Sequence, residues 1–265
     1  MNKIHWGTNC MDCVEGLKLL KDESIDLTVT SPPYDNLRTY NGYCFDFESV
    51  AKELYRVTKL GGVVVWVVGD ATVKGSETGT SFKQALYFKE IGFNLHDTMI
   101  YEKNSLPMNH NRYEQEFEYM FIFSKGKPKT FNPIMIPCKT AGKPYNSTAK
   151  LIGEDNGRRT IDYHVNSQMA DFQDWDMAVA QNRRLFTLEN GKKLKHPAVF
   201  PLDLPLRHIQ TWTNEGDLVF DPFMGSGTTA IAAIKLNRNY IGIEKNEDYI
   251  QISKILISEM QKSGI

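Results

Sequence analysis

The sequence predicts an α/β protein whose sheet is covered by helices on both faces, and three observations support this fold class. Residues 63–68 are apolar at every position, and a strand without polar alternation is typical of a sheet buried on both sides. Runs rich in β-branched residues alternate along the chain with segments of helical spacing. Near the C-terminus, a strand, a glycine-containing loop, a helix and a second strand follow one another, as in a βαβ unit.

Apolar periodicity and turn residues place the individual elements. Strands are predicted over 3–6, 25–30, 63–68, 98–101, 118–123, 217–220 and 239–243. Helices are predicted over 12–20, 47–59, 81–90, 202–213, 228–236 and 247–261. We expect Gly61-Gly62 to stop the second helix and Ser81 to cap the third.

Composition restricts the kind of protein. The chain has 265 residues, a net charge of −1 and four cysteines, which are too few for a disulfide scaffold. Cys10 and Cys13 have no second ligand pair nearby, so we predict no metal site. No apolar run is long enough to span a membrane, and the first residues lack the hydrophobic region of a signal peptide. We therefore expect a cytoplasmic protein without a membrane partner.

Ser31-Pro32-Pro33-Tyr34 directly follows the strand predicted over 25–30. Proline has no N–H and a fixed φ, so two consecutive prolines end the strand and leave carbonyl groups that no ladder pairs. With the Ser31 hydroxyl on one side and the Tyr34 ring on the other, these acceptors suit a planar ring that carries an amino group. The alternative is a turn that ends the strand, with a tyrosine at the surface.

A second chemical site begins at Asp221, where a predicted strand leads through a glycine-rich loop into a helix. Glycine lets the backbone approach a ligand closely, and a helix N-terminus favours an anionic group. Glu244 ends the next strand, where a carboxylate accepts hydrogen bonds from the two hydroxyls of a ribose. Neither GxGxxG nor GxxxxGK[ST] occurs, so the sequence disfavours nicotinamide dinucleotides and nucleoside triphosphates and favours another adenosyl cofactor.

The stretch 129–195 has weak periodicity and a basic composition. It carries eleven Lys and Arg residues against seven Asp and Glu, although the whole chain has a net charge of −1. Arg158-Arg159 and Arg183-Arg184 form two pairs with aromatic residues between them. We interpret this stretch as an inserted lobe that contacts the phosphates of a nucleic acid. A solvated surface insertion is the alternative.

These motifs together resemble those of the amino-group DNA methyltransferases that use S-adenosylmethionine. The resemblance is to the permuted class, in which the catalytic motif precedes the cofactor motif, and it covers nearly the whole chain except about 130–195. It implies a mostly parallel, seven-stranded, Rossmann-like methyltransferase sheet with helices on both faces and an inserted target-recognition region. The implied segments are a catalytic half over 1–128, the target-recognition insertion over 129–195 and a cofactor-binding half over 196–265.

The resemblance also assigns roles to residues of this chain. The catalytic residues would be Ser31, Pro32, Pro33 and Tyr34. The cofactor-binding residues would be Asp12, Phe200, Pro201, Asp221, Pro222, Phe223, Gly225, Ser226, Gly227, Thr228, Thr229 and Glu244. Asp12 stands where related enzymes place a carboxylate near the adenine ring, and Phe200-Pro201 belongs to a segment that resembles the lining of the methionine end. The DNA-binding residues would be Arg158, Arg159, Arg183 and Arg184.

The implied reaction moves a methyl group from S-adenosylmethionine to the exocyclic N4 of a cytosine flipped out of double-stranded DNA. Related enzymes with SPPY mostly methylate this position, whereas DPPY favours the N6 of adenine. N6-adenine methylation is therefore the first alternative, and methylation of RNA or of a protein amide follows. A homodimer and a cognate restriction endonuclease are the further partners that the resemblance suggests.

Overall fold

The computed structural model describes residues 4–33, 46–103, 113, 116–137, 146–149, 159–162, 167–169, 186–188, 191, 193–194 and 200–262. The described strands are β1 (Gly7–Cys10), β2 (Ile25–Thr30), β3 (Thr58–Val68), β4 (Thr72–Val73), β5 (Ser76–Glu77), β6 (Asn94–Glu102), β7 (Phe117–Ser124), β8 (Met135–Pro137), β9 (Asn146–Ala149), β10 (Arg159–Asp162), β11 (Ser167–Met169), β12 (Phe186–Thr187), β13 (Lys193–Leu194), β14 (Leu218–Asp221) and β15 (Asn239–Glu244). The described helices are α1 (Cys13–Leu19), α2 (Phe47–Val57), α3 (Thr80–Glu90), α4 (Asp203–Trp212), α5 (Thr228–Lys235) and α6 (Glu247–Lys262).

Seven of these strands form one sheet in the order β1-β15-β14-β2-β3-β7-β6. The first five are parallel neighbours, and β7 runs antiparallel between β3 and β6. The prediction of a mostly parallel, seven-stranded α/β sheet is therefore confirmed. Because the first five strands run in the same direction, their carboxyl ends meet at one edge of the sheet.

Helices cover both faces of the sheet, as the apolar run over 63–68 predicts. Val64, Trp66 and Val68 share one core cluster with buried residues of α1, α2 and α3. The intervening valines of β3 point to the opposite face, because side chains alternate along a strand. On that side α4 packs against β2 and β3, and α5 packs against β14, β15 and α6. The core therefore consists of two layers of apolar side chains, one on each face of the sheet.

Side-chain caps fix the starts of the first two helices. The Asp12 carboxylate accepts a hydrogen bond from the Val14 N–H at the start of α1. Asp46 does the same for the Ser49 N–H in α2. These carboxylates satisfy N–H groups that have no partner inside the helix. Both helices therefore begin where the sequence predicts.

Two element predictions are wrong. The first strand is β1 rather than 3–6, and among the described residues the backbone of His5 is hydrogen bonded to the Asn9 side chain instead of to a strand. The second helix ends at Val57, and Gly61-Gly62 lies inside β3 instead of stopping the helix. Thr58 caps that helix through its own N–H and hydroxyl, both of which donate to the Leu54 carbonyl.

Contacts within the chain divide it into two compact units, one made of 1–132 and 177–265 and the other of 133–176. The first unit contains the seven-stranded sheet. In the second, β8 pairs with β11 and β9 pairs with β10, both antiparallel. Within the described part of the chain, no helix has both the length and the apolar character needed to cross a bilayer.

Candidate active site

The carboxyl edge of the sheet brings the predicted chemical segments together. Cys10 at the end of β1 is paired with Glu244 at the end of β15, and Asp221 at the end of β14 is paired with Gly242. On the other side of β14 lies β2, where Phe220 is paired with Thr28. The proline pair and the glycine loop therefore follow adjacent strands, although 191 residues separate Thr30 from Asp221. In open α/β sheets this edge is where ligands bind.

The glycine loop folds back over the end of β15. The Met224 N–H donates to the Ile243 carbonyl at 2.9 Å, and the Gly227 N–H donates to the Met224 carbonyl at 2.9 Å. Gly225 and Gly227 have φ angles of +51° and +87°, which L side chains rarely adopt. Gly227 is also the N-cap of α5, so the loop ends on the N-terminus of a helix. This geometry gives a ligand close access to backbone N–H groups.

The carboxyl group of Asp221 is turned into the protein. It is 3% exposed, and its Oδ1 accepts hydrogen bonds from the Thr30 hydroxyl at 2.6 Å and from the Phe223 N–H at 3.0 Å. Burial raises the pKa of Asp221 to about 6, although its hydrogen bonds, first that from Thr30, act in the opposite direction. Asp221 thus joins the end of β2 to the start of the glycine loop.

Glu244 is the second carboxylate of the site. Its Oε2 accepts the Gly225 N–H at 3.0 Å and its Oε1 accepts the Asn246 N–H at 2.8 Å. Burial raises the pKa of Glu244, and backbone hydrogen bonds, first that of Asn246, lower it. A carboxylate has about four acceptor positions, so each oxygen can accept one more hydrogen bond. Glu244 is therefore suited to two vicinal hydroxyl groups.

Asp12 lies beside Glu244. The Met11 N–H donates to the Glu244 carbonyl at 3.1 Å, which places the start of α1 next to the end of β15. One Asp12 oxygen caps α1, and the other is 3.5 Å from the Lys245 Nζ. The structure thus brings Asp12 to the same end of the sheet as Glu244.

The described part of the proline motif leaves the sheet at Thr30. The last pairing of β2 with β3 joins Thr30 to Trp66, so the ladder ends before Ser31. Pro32 is buried, whereas Ser31 and Pro33 are half-buried. This matches the prediction that the prolines end the strand, and Tyr34 lies outside the described residues.

The remaining predicted residues divide into two groups. Pro222, Phe223, Ser226, Thr228 and Thr229 all belong to the glycine loop or the first turn of α5, and Thr229 Oγ1 donates to the Val29 carbonyl at 3.4 Å. Phe200 and Pro201 lie on the segment that enters α4, where the Pro201 carbonyl accepts the Leu204 N–H. Arg159 is the first residue of β10, and Arg158, Arg183 and Arg184 lie outside the described residues.

Sequence reasoning missed two contributors to this edge. Thr30 resembles any β-branched strand residue, so its bond to Asp221 has no local signal. Gly242 lies inside β15, and a Cβ atom there would be 2.0 Å from the Met224 sulfur. A glycine within a strand is the available signal, because it often marks a place where another segment approaches the backbone closely.

Comparison with known proteins identifies relatives along nearly the whole chain. The family model N6_N4_Mtase, described as DNA methylase, matches residues 25–255. The orphan methyltransferase M.BamHII of Bacillus amyloliquefaciens is 54% identical over 244 residues, which cover 88% of this chain and 88% of that protein. The residues matched by the family model include both segments of the carboxyl edge.

Solved structures are similar as well. The M1.HpyAVI–SAM complex has a TM-score of 0.58 and 25% identity, covering 94% of this chain and 98% of that one. The PvuII DNA methyltransferase, described as cytosine-N4-specific, has a TM-score of 0.61 and 20% identity, covering 97% of this chain and 92% of that one. The second similarity is one of fold.

Proposed function

The chain belongs to the N6_N4_Mtase family of DNA methylases, and from this premise we propose that it is a site-specific enzyme that methylates an exocyclic amino group of a base in double-stranded DNA. The methyl donor is S-adenosylmethionine, which is bound in the M1.HpyAVI structure. We also propose the permuted class of this family, with the acceptor motif at Ser31 and the cofactor loop at Asp221.

One observation carries the proposal. The ends of β2 and β14 are neighbours, and the Thr30 hydroxyl and the Asp221 carboxylate are 2.6 Å apart. The segment proposed to hold the acceptor amine therefore adjoins the segment proposed to hold the methyl donor. Proximity and orientation of this kind are worth up to about 7–11 kcal/mol in favourable cases.

The residues of the glycine loop fit an adenosyl cofactor. S-adenosylmethionine supplies a methyl group bound to a positively charged sulfur. Glu244 would accept the two ribose hydroxyls, because each of its oxygens holds one backbone N–H and has room for a second donor. Asp12 would lie near the adenine ring, since the end of β1 adjoins Glu244. Phe200 and Pro201 stay assigned to the methionine end by resemblance.

The acceptor amine would be held by the segment after β2. Its lone pair is delocalised into the base, so the free amine is a poor nucleophile. Hydrogen bonds from its two N–H groups to the Ser31 hydroxyl and the Pro32 carbonyl would favour a pyramidal nitrogen with the lone pair directed at the methyl group. The base must leave the duplex to reach this position, and Tyr34 would stack on it.

We propose the N4 of cytosine as the acceptor, because the motif begins with Ser31. The similarity in fold to the cytosine-N4-specific PvuII enzyme is compatible with this choice. The N6 of adenine is the second candidate, since the family includes both chemistries in its name. Methylation of RNA or of a protein amide would use the same donor on another substrate.

The test identifies the methylated atom. The protein is incubated with labelled S-adenosylmethionine and, separately, unmethylated double-stranded DNA, RNA and protein, and the digested products are identified by mass. We expect label only in DNA and only as N4-methylcytosine. N6-methyladenine would overturn the choice of base, and label in RNA or protein alone would overturn the substrate. A Ser31→Ala variant prepared in parallel is the control for contaminating methylases.

A homodimer, a restriction endonuclease partner and a cytoplasmic location stay predictions from the sequence. The assignment of residues 129–195 as a target-recognition insertion is likewise a prediction, and the excess of positive charge in this stretch supports it.

A further inference from the structure

Thr30 is the last residue of β2 and stands directly before the acceptor segment. Its side chain is fully buried, and its hydroxyl donates to Asp221 Oδ1 at 2.6 Å. The same carboxylate oxygen accepts the Phe223 N–H at 3.0 Å. A single buried oxygen therefore connects the residue before Ser31 to the first turn of the glycine loop.

This arrangement is specific to position 30 of the strand. Thr28 is two residues earlier, lies on the same face of β2 and is also fully buried. Its hydroxyl has no hydrogen-bond partner among the described residues. A buried hydroxyl without a partner costs free energy in lost hydration, a cost that a methyl group in the same place does not have. Thr28 and Thr30 thus form a natural pair in which the same residue type either makes or lacks the bond to the loop.

We propose that Thr30 is a positioning residue that fixes the acceptor segment, Ser31–Pro33, relative to the cofactor loop through Asp221. The inference rests on the proposed function and adds a residue to it. Asp221 is 3% exposed, so its carboxylate acts on the ligands through the loop that it anchors. Thr229 adds a second link, because its hydroxyl donates to the Val29 carbonyl of the same strand.

The geometry gives Thr30 a distinct kinetic signature. Without its hydroxyl, the glycine loop keeps the hydrogen bonds that fold it over β15, and Glu244 keeps its contacts with Gly225 and Asn246. The cofactor site therefore stays intact, while its placement relative to the acceptor amine is less well defined. A displacement of about 1 Å between reacting groups can cost about 10²-fold in rate.

The test compares Thr30→Val, Thr30→Ser and Thr28→Val in the full chain. The measurements are the single-turnover rate of methyl transfer to double-stranded DNA, the affinity for S-adenosylmethionine by calorimetry, and the melting temperature. We expect Thr30→Val to lower the transfer rate by about tenfold or more while the cofactor affinity changes by less than about threefold. Thr30→Ser keeps the hydroxyl and should restore the rate. Thr28→Val should match the wild type in transfer rate and cofactor affinity, with a melting temperature that is unchanged or higher.

Three results would overturn the inference. The first is a wild-type transfer rate in Thr30→Val, and the second is an equal loss in Thr28→Val. The third is a parallel loss of transfer rate, cofactor affinity and melting temperature in Thr30→Val, because it would mean that Thr30 has only a role in stabilising the fold. A wild-type protein that methylates no DNA would remove the proposed function and this inference together, and it is recognised before any variant is compared.

Discussion

Asp221 is a buried carboxyl group that accepts hydrogen bonds from the uncharged donors Thr30 Oγ1 and Phe223 N–H. Burial raises its pKa to about 6 from 3.8. Its hydrogen bonds, first that from Thr30, lower the pKa, and the charge of Glu244 raises it. A raised pKa means that ionisation is more costly in the folded state than in the unfolded state. The chain therefore gives up stability at neutral pH in order to keep this anchor between β2 and the glycine loop.

The pH dependence of stability tests this account at the residue scale. The contribution of Asp221 is fully present below about pH 3.8 and is lost as the pH rises through about 6, at a cost of about 3 kcal/mol. Asp221→Asn removes the charge, and its amide oxygen can still accept from Thr30 and Phe223. We expect the variant to gain stability relative to the wild type between pH 4.5 and pH 7.5 in urea unfolding, by about 2 kcal/mol, because part of the loss in the wild type has already occurred at pH 4.5.

Other titrating groups are common to both proteins and largely cancel in this difference. Thr30→Val supplies the matched control, because loss of the hydroxyl removes a bond that lowers the pKa of Asp221. Its stability should then keep falling to a higher pH than that of the wild type. A difference between wild type and Asp221→Asn that is the same at both pH values would show that Asp221 is not protonated in this range.

At the residue scale the sequence predicts the ends of strands better than the contacts between them. Ser31, Asp221 and Glu244 follow strand-like runs, so their position at one edge follows from the parallel sheet. The hydrogen bond between Thr30 and Asp221 joins residues that are 191 positions apart in the sequence. Threonine is common in strands, so the presence of Thr30 in β2 gives no indication of this bond. Nothing in the local sequence distinguishes it from the Thr28 hydroxyl, which has no partner among the described residues.

At the scale of elements, periodicity locates the strands and helices, and glycine is the source of error. Gly61 has a φ of +85°, and a Cβ at Gly62 would be 2.8 Å from the Thr58 Cγ2. The pairing of β2 with β3 shifts register between Ile25 and Leu27, opposite this part of β3. The two glycines therefore accommodate an irregularity in the strand. In the sequence alone, a glycine pair with this role cannot be distinguished from one that ends a helix.

The start of α3 shows a similar exchange of roles. The sequence predicts Ser81 as its cap, but Gly79 occupies the N-cap position without a side-chain hydrogen bond. Asp70, which follows β3, accepts the Ser81 N–H at 2.9 Å and also a hydrogen bond from the Ser81 hydroxyl. A carboxylate from outside the helix accepts a hydrogen bond from an N–H group of its first turn. The residues next to the helix therefore give no signal for this cap.

Gly242 gives a test of the cofactor loop at this scale. A Cβ on Gly242 would be 2.0 Å from the Met224 sulfur and 3.2 Å from the Met224 Cβ, so Met224 must shift. Met224 is followed by Gly225, whose N–H donates a hydrogen bond to Glu244. A shift of Met224 would therefore disturb the positions of Gly225 and Glu244. We expect Gly242→Ala to weaken S-adenosylmethionine binding in calorimetry by about tenfold, since overpacking costs about 1–3 kcal/mol.

A double-mutant cycle separates this packing effect from a general loss of stability. Met224→Ala removes the atoms that the new Cβ would meet, so it should recover part of the affinity lost in Gly242→Ala. The sum of the losses in binding free energy of the two single variants would then exceed the loss in the double variant. Strictly additive losses would mean that Gly242 affects the cofactor by a route other than Met224.

At the scale of the whole molecule, topology joins what the sequence separates. β14 lies between β15 and β2, so the C-terminal βαβ unit completes a sheet begun by the first strands. Periodicity identifies these strands but contains no information on their order. The resemblance to a known family predicts a mostly parallel, seven-stranded sheet, but the order of its strands comes from the structure, because crossover connections of this length leave no local signal.

The distribution of charge over the chain supports a prediction about DNA binding. Residues 129–195 carry an excess of four positive charges in a chain whose net charge is −1. Each phosphate that a Lys or Arg neutralises adds about 0.9 to the slope of log affinity against log salt concentration. If Arg183 and Arg184 each contact a phosphate, Arg183→Ala/Arg184→Ala should reduce the slope by about 1.8 in titrations of duplex DNA over a range of salt.

The control must change the net charge equally at another place. Lys18 and Lys89 are exposed in the last turns of α1 and α3, outside the stretch 129–195. Because a change in net charge alone acts through the long-range field, Lys18→Ala/Lys89→Ala should leave the slope close to that of the wild type. Equal slopes in both double variants would contradict a local contact surface, since release of counterions depends on where the cations lie and not on their number alone.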